Sequence, residues 1–196
     1  MKKQTIMVIV AIIAVIAIII GVVAINSNKT KKDGDAIKIE NAKDMEAMLN
    51  TIYSKLEDQL PSLEIMKIDT SDESQVITYT GVTEPNNIDK LVVSEPMMSS
   101  QAYSAMVIKV KDGADIEKMK QEILDNADMN KWICVSAEKL YVTNYGNIIF
   151  SVMSDDEWAT SVYNEFKNII NNQNGKELER TGDNEDIDLP PERVVQ

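Results

Sequence analysis

The stretch "KLYVTNYGNIIFSVM", residues 139–153, decides the fold class. Two runs rich in β-branched and aromatic residues flank Asn144-Tyr145-Gly146, where the glycine can supply the positive φ that a tight turn demands. The pattern predicts a β-hairpin and therefore antiparallel pairing. Directly after it, Ser154 with Glu157 three places on reads as a capping box, and Asp155 and Asp156 sit where a helix dipole favours negative charge. Trp158, Ala159, Val162, Tyr163, Phe166, Ile169 and Ile170 then recur at intervals of three and four, the buried stripe of a helix.

Working upstream, "LEIMKI" (63–68), "QVITYT" (75–80), "KLVVS" (90–94) and "YSAMVIKV" (103–110) read as strands separated by Ser, Asp, Gly and Pro. Two further amphipathic patterns predict helices. One runs from an N-cap at Asn41 through Met45, Met48, Leu49, Ile52, Tyr53 and Leu56 to a stop before Pro61; the other covers Asp115–Ala127. "WICVS" (132–136), apolar on both alternating faces, reads as a brief buried strand, which makes Cys134 a small hydrophobe of the inner wall. From Asn171 the chain is polar and charged with two adjacent prolines, and residues 173–196 are expected to be a disordered acidic tail. The expected architecture is an α+β domain over 41–172, an antiparallel sheet with helices packed on one face.

Residues 6–25, "IMVIVAIIAVIAIIIGVVAI", form an uncharged apolar run whose helical length of about 30 Å matches a bilayer core. The run exceeds the apolar region of a cleaved signal, so residues 1–25 are expected to be a single transmembrane signal anchor with the main domain extracytoplasmic, joined by a polar tether at 26–40. Lysines flank both ends and leave the positive-inside rule with little to discriminate. Ala14, Ala17, Gly21 and Ala24 form a small-residue stripe through which the anchor could form a homodimer.

Composition removes several chemistries. There is no histidine and one cysteine, so there is no Cys-His or Ser-His pair, no thiolate zinc cage and no intramolecular disulfide. The formal charge of −12 argues against nucleic-acid binding. No Ser-x-x-Lys and no glycine-flanked serine elbow occurs.

Residues 78–123, "TYTGVTEPNNIDKLVVSEPMMSSQAYSAMVIKVKDGADIEKMKQEI", together with the later hairpin at Tyr141–Met153, resemble a family of uncharacterised Firmicutes envelope domains, membrane-anchored or lipoprotein. The shared elements are Tyr79–Val82, the Pro-Met step at Pro96–Met98, the Ser/Ala-rich step at Ser99–Ala105, the Lys-Asp-Gly turn at Lys111–Gly113 and the helix from Asp115. The resemblance covers roughly residues 42–172 and implies an envelope location and this fold class. It carries no catalytic or ligand residue. The chain departs from the lipoprotein form in lacking a lipidation cysteine after its apolar run.

Three clusters carry candidate chemistry. "SDDEW" (154–158) reads as a helix cap, since consecutive carboxylates on a helix do not face one another. "DNEDID" (183–188) lacks the glycine and terminal glutamate of a calcium loop and reads as solvated tail. The loop "EPMMSSQAYS" (95–104) is the candidate partner-binding surface through Met97, Met98, Ser99, Ser100 and Tyr103, because methionines adapt to partners and loops carry function. No catalytic residue, metal site or cofactor is assigned. The expected function is a non-enzymatic membrane-tethered module that binds an envelope protein or peptide. The alternative is a small-ligand receptor or hydrolase-like enzyme built on carboxylates or hydroxyls among the strand loops.

Overall fold

A computed structural model describes residues 38–56 and 59–182, and the apolar run, the stripe at Ala14, Ala17, Gly21 and Ala24, and "DNEDID" lie outside the described residues. The elements follow in the order α1 (Ala42–Tyr53), β1 (Leu63–Ile68), α2 (Glu73–Thr80), a short 3-10 turn at Pro85–Asn87, β2 (Ile88–Pro96) and β3 (Tyr103–Val110). Then come α3 (Ile116–Asn126), β4 (Lys139–Tyr145), β5 (Ile148–Ser154), α4 (Asp156–Ile169) and β6 (Leu178–Thr181). The six strands form one sheet in the order β1-β2-β3-β5-β4-β6, every pair antiparallel. Among the described residues no helix is long and apolar enough to cross a membrane.

The expected hairpin is β4–β5, with Gly146 at φ 55° in its turn. α1 starts at Asn41, whose side chain accepts from the Lys43 and Asp44 amides while Asp44 reaches back to the Asn41 amide. The cap of α4 lies one residue later than expected. Asp155, not Ser154, accepts the Trp158 amide, and Ser154 ends β5 with its hydroxyl donating to Ala102 O at 2.5 Å.

Helices cover both faces of the sheet, not one. On the first face, α1 and α4 bury Met45, Leu49, Ile52, Val162 and Phe166 against Val92, Tyr103, Ala105, Val107, Phe150 and Val152. Phe166 stacks on Phe150 at 4.2 Å and Tyr163 on Tyr141 at 4.6 Å. On the second face, α2 and α3 bury Val76, Met119 and Ile123 against the alternate residues Leu91, Val93, Met106, Ile108, Val142 and Ile149. Connection geometry supplies the reason. β3 and β4 run parallel with β5 between them, and β5 and β6 run parallel with β4 between them. The two crossovers step the same way across the sheet from oppositely directed strands. One handedness for both therefore requires their helices, α3 and α4, to lie on opposite faces.

"QVITYT" is helical rather than a strand. Asp72 caps it by accepting the Gln75 amide at 3.1 Å, Gly81 ends it at φ 67°, and Val76 and Thr80, four apart, are its buried pair. The Thr78 and Thr80 hydroxyls bond back to Ser74 O and Val76 O, which satisfies them inside the helix.

The domain also extends past residue 172, because β6 adds an edge strand to β4 within the stretch expected to be disordered. Two cations fasten this region. Lys120 of α3 is fully buried, and its ammonium donates to Asn144 Oδ1 at 2.8 Å and Lys176 O at 2.9 Å and pairs with Glu117 at 2.7 Å. Arg180 of β6 caps the C-terminus of α3, donating to Leu124 O, Asp125 O and Ala127 O, three carbonyls that the end of a helix leaves without partners.

Candidate functional site

Two unlike ends result from this strand order. At the entry end the Lys109 ammonium donates to Glu40 O, so the chain joins the domain beside the C-terminus of β3. The far end carries the β2–β3 loop (97–102), the α3–β4 loop (127–138) and the β5–α4 junction. Of the four large apolar side chains exposed among the described residues, three are here: Met97 at 71 %, Met98 at 62 % and Ile133 at 65 %. The fourth, Ile77, stands alone on α2.

These side chains project from braced backbone. Met97 N donates to Ser62 O at 2.9 Å, Gln101 N to Met98 O, and Ile133 N to Ser99 O at 3.1 Å, which ties the two loops together. Ala137 N donates to Met129 O at 2.8 Å and closes the α3–β4 loop on itself. The Lys131 ammonium pins the same loop to the sheet through Glu95 at 2.7 Å and Ser104 Oγ at 3.2 Å, and lies 5.1 Å from the Trp132 ring centre.

With Lys131 and Trp132 turned inward, Ile133 and Cys134 turn outward. Cys134 is exposed and sits at φ 60°, a left-handed conformation uncommon for a residue with a side chain. The expected buried strand at 132–136 is thus a loop tip, and Cys134 is not part of the inner wall. The two flanking tethers outweigh the local preference of an apolar run for burial.

Of the residues expected to form the partner-binding loop, Met97, Met98, Ser99 and Ser100 are exposed together. Tyr103 is not with them. It is wholly buried on the first face, its hydroxyl 3.0 Å from that of Tyr53, as the inward residue of β3. Burial holds the Tyr53 phenol up at about 12 and raises that of Tyr103 well above the usual range, with Tyr53 itself adding to the latter.

Beside the methionine loop lies an open recess of about 440 Å3 lined by Ser100, Ala102, Val135, Glu138, Asp155 and Trp158. Through Glu138 and Asp155 it continues into a second, of about 660 Å3, reaching Asp156, Glu157 and Thr160. Glu138 accepts the Asp156 amide at 3.1 Å, so a carboxylate from the loop faces the acidic first turn of α4. Among the described residues no group of three or more acidic, cysteine or histidine side chains converges as a metal site would require.

A second cluster escaped the sequence reading because its members are nine and twenty-seven residues apart. Ser104 donates to Glu95 Oε1 at 2.7 Å, and Lys131 donates to both. The serine is 3 % exposed, its proton is committed to the carboxylate, and the lysine is engaged as a donor on both sides. This arrangement fastens a loop. A serine nucleophile would need, besides a carboxylate to accept its proton, an oxygen open to substrate, which the burial of Ser104 denies it.

Comparison of the chain with protein-family models, with curated proteins and with solved structures finds no match.

Proposed function

We propose that the chain is a non-enzymatic binding module that docks an envelope protein or peptide on the far end of its sheet, and that the apolar run at 6–25 tethers it to a membrane with the domain extracytoplasmic. One observation carries the docking reading: Met97, Met98 and Ile133 are exposed on two loops that the Ile133 N–Ser99 O bond joins and that six hydrogen bonds and ion pairs in all hold in place. Exposed apolar groups clustered on braced backbone mark a surface that has a partner. Glu40, at the start of the domain, lies at the opposite end of the sheet from this surface.

Photocrosslinking tests this reading. A benzophenone on the native Cys134 of the full chain, expressed in its membrane, is expected to capture a discrete partner. The same group at Asp112→Cys in a Cys134→Ser background, on the entry end, is expected not to. Equal capture from both positions would remove the far end as the docking surface.

The hydrolase-like alternative has one observation in its favour, the Ser104–Glu95–Lys131 contact. It requires Ser104 to be labelled by a serine-directed fluorophosphonate in the folded protein; we expect no labelling, given its burial.

A further inference from the structure

The chain leaves the described domain at the same end of the sheet as its exposed methionines. Thr181 of β6 pairs with Lys139 of β4, Lys139 with Ser154 of β5, and Ser154 with Tyr103 of β3, so these four residues stand in one row across the sheet. Three inter-strand steps of about 4.8 Å put the end of β6 about 14 Å from Tyr103, the residue that follows the loop of Met97 and Met98. The direction of exit is fixed as well. Gly182 N donates to Glu138 O at 2.8 Å, and a Cβ on Gly182 would stand 2.3 Å from Ala137 O. The chain therefore passes closely against the α3–β4 loop, the loop that Ile133 N ties to Ser99 O.

Residues 183–196 follow, and their sequence falls into two parts. Asp183, Glu185, Asp186 and Asp188 make the first acidic; Leu189, Val194 and Val195 make the second apolar, with Glu192 and Arg193 of opposite charge between them. At about 3.3 Å per extended residue, residues 183–188 span about 20 Å, enough to cross from Thr181 to Tyr103 and bring the second part over the β2–β3 loop. Like charge on Glu138, Asp155 and Asp156 keeps the first part in solvent, so it serves as a spacer. Tethering holds the second part at about millimolar local concentration, where contacts too weak to bind a free peptide suffice.

We infer that residues 189–196 lie on Met97 and Met98 and compete there with the partner, so that the chain regulates its own docking surface. Leu189, Val194 and Val195 supply the apolar groups, and the unbranched, adaptable methionines take them. This inference rests on the docking reading above and adds a control to the same surface. A partner must displace the segment, which lowers its apparent affinity in proportion to the fraction of chains whose surface is open.

Disulfide trapping between Ser100→Cys and Gln196→Cys, in the full chain with Cys134→Ser and in nanodiscs of neutral lipid, reads the contact without a partner. Trapping should slow about tenfold with Leu189→Ser, Val194→Ser and Val195→Ser together, and as much with Met97→Ser plus Met98→Ser, because tethering alone depends on neither set. It should be unchanged by Ile77→Ser, which removes the exposed apolar side chain of α2 instead. Trapping indifferent to both sets would overturn the inference. Capture by benzophenone on the native Cys134 in membranes reads the competition: it should rise about threefold with Leu189→Ser, Val194→Ser and Val195→Ser, and an unchanged or lower yield would overturn the competition. If neither the native chain nor this variant captures anything, the docking reading fails and the competition with it, while trapping still decides whether the segment covers the methionines.

Discussion

The entry end and the far end of the same sheet solve opposite problems. At the entry end the turns are short and polar: Gly113 at φ 84° and Gly146 at φ 55° make tight reversals, and Asn87 and Asn147 accept from the adjoining strand and loop. Beneath it Lys120 spends all its bonding capacity on α3, β4 and the lead-in to β6. At the far end, long loops are held just as firmly, yet Met97, Met98 and Ile133 point to water. Bonding at one end serves folding alone; at the other it holds in place side chains that folding does not use. On the proposed function, the difference separates residues needed for stability from residues offered for contact.

Substitutions should divide along that line. The largest effect is expected for Lys120→Ala. It leaves Asn144 Oδ1 and Lys176 O without their donor in a buried site, and denaturant unfolding should show a loss of about 2–4 kcal/mol. Next is Arg180→Ala, which strips the cap from α3 and the cation shared by three carbonyls; about 1.5–3 kcal/mol is expected. Hydrogen exchange should rise in residues 127–138 of that variant, since the loop that displays Ile133 begins where Arg180 binds.

A subtler effect concerns pH. The folded phenols of Tyr53 and Tyr103 are raised by burial, and that of Tyr163 is raised chiefly by burial with Glu177 beside it. A raised folded value contributes stability that is complete below the unfolded value near 10 and is lost as pH climbs through the folded values. Stability should therefore decline from about pH 10 to beyond 12. In a spectrophotometric titration these three of the six tyrosines should ionise only with unfolding. The smallest effect belongs to Met97→Ser plus Met98→Ser, expected to change unfolding free energy by less than about 0.5 kcal/mol. Cys134 in the folded protein should react with a maleimide as readily as in the unfolded chain.

Much of the fold was legible in the sequence, and the parts that were not share a cause. The β4–β5 hairpin, α1 with its cap and α3 could be read from local spacing, because their caps, turns and stripes lie within a few residues. Even the two covered faces left a trace. "YSAMVIKV" is apolar at both parities, which is the mark of a strand buried on both sides rather than one. "QVITYT" misled because β-branched residues carry strand preference, while the helix signals, Asp72 and Gly81, lie just outside the run.

β6 was missed because four residues with one leucine give no period, and its place is set by β4 and by Arg180 reaching α3, more than fifty residues away. Cys134 was misplaced for a similar reason. Lys131–Glu95 and Ile133–Ser99 decide which way "WIC" turns, and neither contact is visible in local alternation. At the candidate site, Met97 and Met98 could be named from the sequence, but Ile133 joins them only through the fold.

The central claim is that the far end's exposed apolar side chains serve contact and not folding. The most direct measurement is the yield of crosslinks from benzophenone-labelled Cys134 in membranes bearing the full chain, with and without Met97→Ser, Met98→Ser and Ile133→Ser, alongside the melting temperature of each. We expect the three substitutions together to abolish capture while the melting temperature stays within a few degrees. Undiminished capture, or capture lost only because the protein unfolds, would contradict the claim.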